Sequence, residues 1–232
     1  MEVTTALLTG CTGWLGRSIV PYFQERYDCD VLSRQAGTNL TGDARYVMLP
    51  RKYDVIVHGA LDGAQNIIDQ AGDARVLFLS SGAVYGRTTP YAYAKQRDED
   101  LFQDTDATIA RLFCFIGPDM PEHFAAGEFL ACLRDGRDIR VTGDGRTVRS
   151  YMHVDDLPPI LEELLCYGPA TVDVGSTERV TLLDLALRIA QYGSIGVSTS
   201  HLMVNPVDSY VPKPGAWGGY VTDLEDAIER SV

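Results

Sequence analysis

Short apolar runs and longer segments of helical spacing alternate along the chain. TTALLTG (4–10), CDVLSR (29–34), YDVIVHGA (53–60), RVLFLSS (75–81), ATIARLFCFIG (107–117) and ATVDVGS (170–176) read as buried strands. Between them, WLGRSIVPYFQERY (14–27), GAQNIIDQAG (63–72), YAYAKQRDEDLFQD (91–104) and DDLPPILEELLCYG (155–168) carry apolar residues at the three- and four-residue spacing of helices. Strands that are apolar throughout, separated by helices, predict an α/β fold: a Rossmann-type doubly wound parallel sheet. The pattern changes after Gly117-Pro118. EFLACLRDG (128–136) and TLLDLALRIAQYG (181–193) read as helices. DIRVTGDGRTVRSYMHV (138–154) reads as two strands of a hairpin turning at Asp144-Gly145. Residues 193–220 show no periodicity and are expected as loops, with TDLEDAIER (222–230) a last helix. The expected organisation is a dinucleotide-binding core over 1–117, to which 146–176 return. Residues 118–145 and 177–232 form a small C-terminal substrate-binding subdomain.

Composition narrows the class. The chain has 232 residues, 45% of them hydrophobic, enough for a packed core. A formal net charge of -12 disfavours nucleic acid and anionic membrane surfaces as partners. It leaves open a phosphorylated small molecule held by local dipoles. The five cysteines are scattered and never spaced as CxxC, which predicts reduced thiols, a cytoplasmic location and no metal site. No apolar run approaches the ~20 residues of a membrane span, and the first residues lack the basic region of a signal peptide.

Two stretches carry candidate chemistry. LLTGCTGWLG places Gly10, Gly13 and Gly16, with Trp14 and Leu15, between the first strand and the first helix. There a pyrophosphate can approach the backbone and rest on the helix N-terminus. At the end of the second strand stand Ser33 and Arg34 rather than an acid. A hydroxyl and a guanidinium suit a ribose 2′-phosphate, which favours NADP over NAD, although a solvated strand end would look the same. The second stretch, SSGAVYGRTTPYAYAKQ (80–96), leaves a buried strand and at once presents Ser81, Tyr91 and Lys95. Tyr91 and Lys95 are i and i+4, one face of a helix. An ammonium beside a phenol is expected to lower its pKa and make it an acid/base group, with Ser81 bonding the same substrate oxygen. Tyr93 with Arg97 has the same spacing, so the pattern alone is also that of a solvated helix face.

The ordered set TGCTGWLG, SSGAVYG, PYAYAK, ARLFCFIGP, GDGRTVRSYMHVDDL and VDVGS with TLLDLA resembles the extended short-chain dehydrogenase/reductase family. Within that family it is similar to the NAD-dependent epimerase/dehydratase type acting on nucleotide sugars. The resemblance implies that Ser81, Tyr91 and Lys95 are catalytic, with Tyr91 and Lys95 also lining the cofactor. It places Asn39 and Leu40 at the adenine pocket, Gly59 and Ala60 at the strand end beside the cofactor, and Arg149 at the substrate diphosphate. Cys114 stands where many members carry a substrate-binding asparagine, and His123 lies at the start of the substrate region. Gly82 and Ala83 occupy the positions of the acidic pair of 4,6-dehydratases, which disfavours elimination of water. The function expected is NADPH-dependent reduction of a nucleotide-linked keto sugar of the 4-keto-6-deoxy type. An NAD(P)-dependent epimerase and a non-catalytic dinucleotide binder are the alternatives. Relatives commonly pair through the helix bearing Tyr91, and the shortened preceding helix leaves a homodimer open.

Overall fold

The computed structural model describes residues 4–86, 88–168, 170–200, 208–213, 217 and 221–232. The chain divides into two compact units, Met1–Leu112 with Leu157–Val174, and Phe113–Asp156 with Gly175–Val232.

The first unit is built on a seven-stranded sheet. Its strands are β1 (Thr5–Thr9), β2 (Asp28–Ser33), β3 (Leu40–Thr41), β4 (Val55–His58), β5 (Arg75–Ser81), β6 (Thr108–Leu112) and β11 (Thr171–Val174). The order is β11-β6-β5-β4-β1-β2-β3, every pairing parallel. Parallel strands are covered on both faces, and β4 accordingly is buried at all its positions, Val55 to His58. Helices α1 (Gly16–Gln24) and α5 (Leu157–Tyr167) pack together in one layer. Tyr22 and Tyr27 there donate to the two oxygens of Glu162, at 2.7 and 2.9 Å. Helices α2 (Ala64–Ala71) and α3 (Pro90–Phe102) form the other layer, against β4 and β5. This is the Rossmann-type doubly wound sheet that the alternation predicted. Strand order reverses at β1, between β2 and β4, so the crevice for a ligand opens at their carboxyl ends.

In the second unit, α4 (Ala125–Arg134), α6 (Leu182–Ala190) and α7 (Leu224–Glu229) enclose a core that includes Phe129, Ile139, Leu185, Ile189 and Ile228. Short strands complete it: β7 (Cys114–Ile116) with β10 (Tyr151–His153), β8 (Ile139–Val141) with β13 (Val197–Thr199), and β9 (Val148–Arg149) between β12 (Val180–Thr181) and β14 (Ser209–Tyr210).

The structure departs from the sequence reading in four places. The run 107–117 is two strands, because β7 leaves the large sheet to pair with β10. That pairing carries 113–117 and 146–156 into the second unit, so the segment returning to the core starts at Leu157. No hairpin forms across Asp144-Gly145. Gly143 and Gly145 do turn the chain with positive φ, of 82° and 73°, but β8 and β9 then pair with different partners. A Cβ on Gly145 would lie 2.7 Å from that of Leu183, so the turn is packed on the start of α6. Finally, β13 and β14 lie in the stretch read as loops; 201–207, 214–216 and 218–220 of that stretch fall outside the described residues.

Candidate active site

The glycine loop joins β1 to α1 at the sheet crevice. Gly10 has φ +70°, and a Cβ there would sit 2.2 Å from the backbone nitrogen of Ala60; one on Gly16 would sit 1.8 Å from the carbonyl oxygen of Cys11. Those two glycines are demanded by the fold itself. Gly13 differs, since a Cβ there meets nothing within 4 Å. It lines a cavity of about 770 Å³ together with Thr12, Gly16, Arg17, Gln35 and Asn39. The open side of Gly13 and the first turn of α1 leave room for a phosphate close to the backbone, so these residues fit a dinucleotide.

The predicted adenosine-side residues are partly committed elsewhere. Ser33 is buried, accepts from the backbone N–H of Gln35 at 3.0 Å, and pairs with the Thr12 hydroxyl at 3.2 Å. Its hydroxyl thus braces the glycine loop against β2, and of the predicted pair only Arg34 is exposed. Asn39 lines the cavity, yet its amide donates to Asp30 and its oxygen accepts from the backbone of Val31 at 2.7 Å. Leu40 begins β3 and pairs in register with Leu32. Trp14 and Leu15 lie half-buried in the glycine loop.

Ser81, Tyr91 and Lys95 come together at the carboxyl end of β5. Thr89 caps α3, its hydroxyl accepting from the backbone of Ala92 at 3.1 Å, and Pro90 occupies the first turn where no amide donor is required. The residue Tyr91 is 46% exposed, but its phenol end is desolvated: burial pushes the phenol above its usual pKa, and a hydrogen bond with Ser81 pulls it back. Lys95 is almost wholly buried and donates to the carbonyls of Leu79, at 2.8 Å, and Ala60, at 3.4 Å. Burial lowers its pKa to about 8, with Asp98 acting in the opposite direction. The expected activation of the phenol by the ammonium is therefore not present in this state. The ammonium is turned onto backbone carbonyls, and Ser81 supplies the hydrogen bond that favours ionisation of the phenol. Lys95 ties the cluster to the glycine loop, because Ala60, which it contacts, is also the residue Gly10 packs against. Gly59 donates its backbone N–H to Thr9 at 2.8 Å, holding the same strand end to β1.

The three predicted substrate residues lie in the second unit. Cys114 begins β7, half-buried and in register with Tyr151. Arg149 donates to Asp208 at 2.7 Å and to the carbonyl of Val148 at 2.8 Å, so its guanidinium is already paired. His123 is exposed, its ring 4.1 Å from that of Phe124. His153, Asp155 and Asp156 serve to hold α7: Asp155 pairs with Arg230, and Asp156 accepts from the backbone N–H of Thr222 at 2.9 Å and from its hydroxyl at 2.8 Å.

Residues 51–161 match the model of the NAD dependent epimerase/dehydratase family. Over that segment the chain is similar to this family. A curated relative, the UDP-N-acetyl-alpha-D-glucosaminuronate decarboxylase of Bacillus cytotoxicus, is 29% identical over 190 residues, covering 68% of this chain. The chain spans 58% of that relative's length. Among solved structures, the UDP-N-acetylglucosamine 4-epimerase of Methanobrevibacter ruminantium in complex with UDP-N-acetylmuramic acid superposes with a TM-score of 0.82 at 17% identity, covering 100% of this chain and 97% of that one. RMD of Pseudomonas aeruginosa, complexed with NADPH, gives a TM-score of 0.73 at 17% identity over 98% and 96%. At such identities the structural likeness speaks for the fold.

The sequence reading missed several cavity and support residues. Thr12, Arg17 and the 35–38 loop line the cavity, and their position after the first glycines and after β2 was the available signal. Thr9 carried no motif at all; in the buried strands beneath the glycine loop it is hydrogen-bonded at 2.6 Å to His58, the residue before Gly59 and Ala60 at the strand end. Burial holds His58 far below its usual pKa, at about 3, so the ring stays neutral.

Proposed function

We propose that the chain binds a nicotinamide dinucleotide and modifies a nucleotide-linked sugar by reversible chemistry at a carbinol carbon, with reduction of a 4-keto-6-deoxy sugar by NADPH as its net reaction. The observation that carries this reading is the cluster of Ser81, Tyr91 and Lys95 against the strand end that receives the glycine loop. Gly10, Gly13, Trp14, Leu15 and Gly16 would hold the pyrophosphate, with Arg34 toward the adenosine ribose and Gly59 and Ala60 beside the nicotinamide half. When bound, the cofactor supplies hydride. An ammonium has three donors, and two of those on Lys95 go to Leu79 and Ala60, which leaves one to orient the nicotinamide ribose. Ser81 holds the substrate carbonyl oxygen, and Tyr91 gives it a proton as the alkoxide forms. The raised pKa of Tyr91 suits a proton donor at neutral pH, since the phenol stays protonated.

Cys114, Arg149 and His123 are the proposed substrate-side residues. Arg149 would exchange Asp208 for a substrate phosphate. Gly82 and Ala83 offer no carboxylate for elimination of water. Epimerisation is the second reading, favoured by the family's description and needing no net reduction. A panel of nucleotide keto sugars mixed with the protein and NADPH or NADH separates the two readings. Loss of reduced-cofactor absorbance supports reduction, and isomer exchange without loss supports epimerisation. Cofactor binding with neither would overturn both.

A further inference from the structure

A row of polar side chains crosses the sheet beneath α3. Ser80 of β5 stands in register beside Arg111 of β6, and Arg111 beside Asp173 of β11. Strand alternation puts Ser80 and Arg111 on the face of Phe78 and Ile109, which pack with Phe102 of α3. Glu99 of α3 meets this row. Its carboxylate accepts from the Ser80 hydroxyl and, bidentately, from Arg111 through Nε at 2.9 Å and Nη2 at 2.6 Å. Nη1 of Arg111 donates to the Tyr85 hydroxyl at 2.6 Å, and Tyr85 donates to Asp173 at 2.9 Å. Glu99 and Asp173 are 2% and 6% exposed.

Stability alone does not account for this arrangement, because a buried ion pair replaced by apolar side chains of similar volume is often as stable or more so. Its placement is informative. Ser80 precedes Ser81, Tyr85 lies in the turn that follows it, and Glu99 is one helical turn beyond Lys95 and two beyond Tyr91 on the same face. The buried residues of α3 are Ala92, Lys95, Asp98, Glu99 and Phe102. With only two of these apolar, greasy packing specifies the position of α3 along β5 weakly, whereas directional hydrogen bonds specify it well.

We propose that Glu99 and Arg111, tied to Ser80 and Tyr85, are positioning residues that set the height of α3 over β5 and thereby the approach of Tyr91 to Ser81. The inference rests on the reading of Tyr91 as proton donor given above. The test is the double variant Glu99→Leu/Arg111→Met, followed by thermal unfolding, NADPH fluorescence, kcat and KM, and the titration of Tyr91 by NMR with ring-labelled tyrosine, assigned through Tyr91→Phe. A folded double variant is expected to bind NADPH within about twofold of wild type and to lose about 100-fold in kcat with little change in KM, the scale of a small misplacement. Its Tyr91 titration is expected to move up as the Ser81 hydrogen bond weakens. Wild-type kcat together with an unmoved titration overturns the proposal. Should the double variant not fold, Tyr85→Phe and Glu99→Gln take its place, and unmoved readouts in both overturn it equally. If the wild type turns over no nucleotide sugar, the functional reading fails, while the Tyr91 titration in the NADPH complex still decides the clamp.

Discussion

Lys95 buries an ammonium among backbone carbonyls, and desolvation there disfavours its charged form. Its pKa falls from 10.5 to about 8, mainly through desolvation. Unfolded chains therefore bind the extra proton between these values, and stability gains as pH rises from about 8 toward 10.5. The difference corresponds to about 3 kcal/mol. Lys95→Met is expected to unfold at a higher temperature than wild type at pH 7, with the advantage shrinking by pH 10; equal pH profiles would contradict the burial. Tyr91 titrates in the opposite sense, its phenol held protonated. If Tyr91 is the proton donor of the proposed reduction, the rate is expected to hold level through neutral pH and to fall only on the alkaline side. Tyr91→Phe should lower kcat by about 10² to 10⁴ while NADPH still binds, as fluorescence titration would report.

At the scale of elements, the glycine loop separates fold from function within a few residues. Gly10→Ala puts a methyl group into the Ala60 backbone from a left-handed conformation, which should cost a few kcal/mol and show as a lowered denaturation midpoint. Gly13→Ala meets no protein atom and should leave stability within about 0.5 kcal/mol. The same methyl group would occupy the phosphate cradle, so cofactor affinity is expected to fall at least tenfold by direct titration. If Gly13→Ala bound NADPH normally, the pyrophosphate would have to lie elsewhere. Helix α3 shows the complementary case, an element whose sequence signal came from its chemistry and whose seating comes from the ion pair beneath it.

For the whole molecule, cofactor binding and folding are linked. A dinucleotide bound only by the folded chain adds about 2.7 kcal/mol at a concentration 100 times its dissociation constant. Calorimetry should show a rise in unfolding temperature with NADPH, and a smaller one with NADH at equal concentration if Arg34 receives the 2′-phosphate. Arg34→Glu should reverse that order. A larger rise with NADH in the wild type would reassign the cofactor. The charge of -12 does not oppose such binding, because the helix N-terminus and Arg17 supply the local field at the cavity.

What the amino-acid order determined alone was whatever is local: the alternation of buried strand and amphipathic helix, the glycines between β1 and α1, and the four-residue spacing of Tyr91 and Lys95. Each follows from backbone sterics or helix geometry within a few residues. Tertiary structure decided which strands pair and which polar groups remain available, since both depend on partners distant in sequence. Val148 could be placed in a strand from its neighbours, but its pairing with Thr181 and Ser209 instead of the 139–141 strand could not. Ser33 looked like a ligand for the cofactor until Thr12 and Gln35 were found to engage its hydroxyl. Lys95 looked like the group that ionises a phenol until burial turned it toward two carbonyls. Desolvation and hydrogen-bond saturation are properties of the packed interior, and no stretch of sequence carries them by itself.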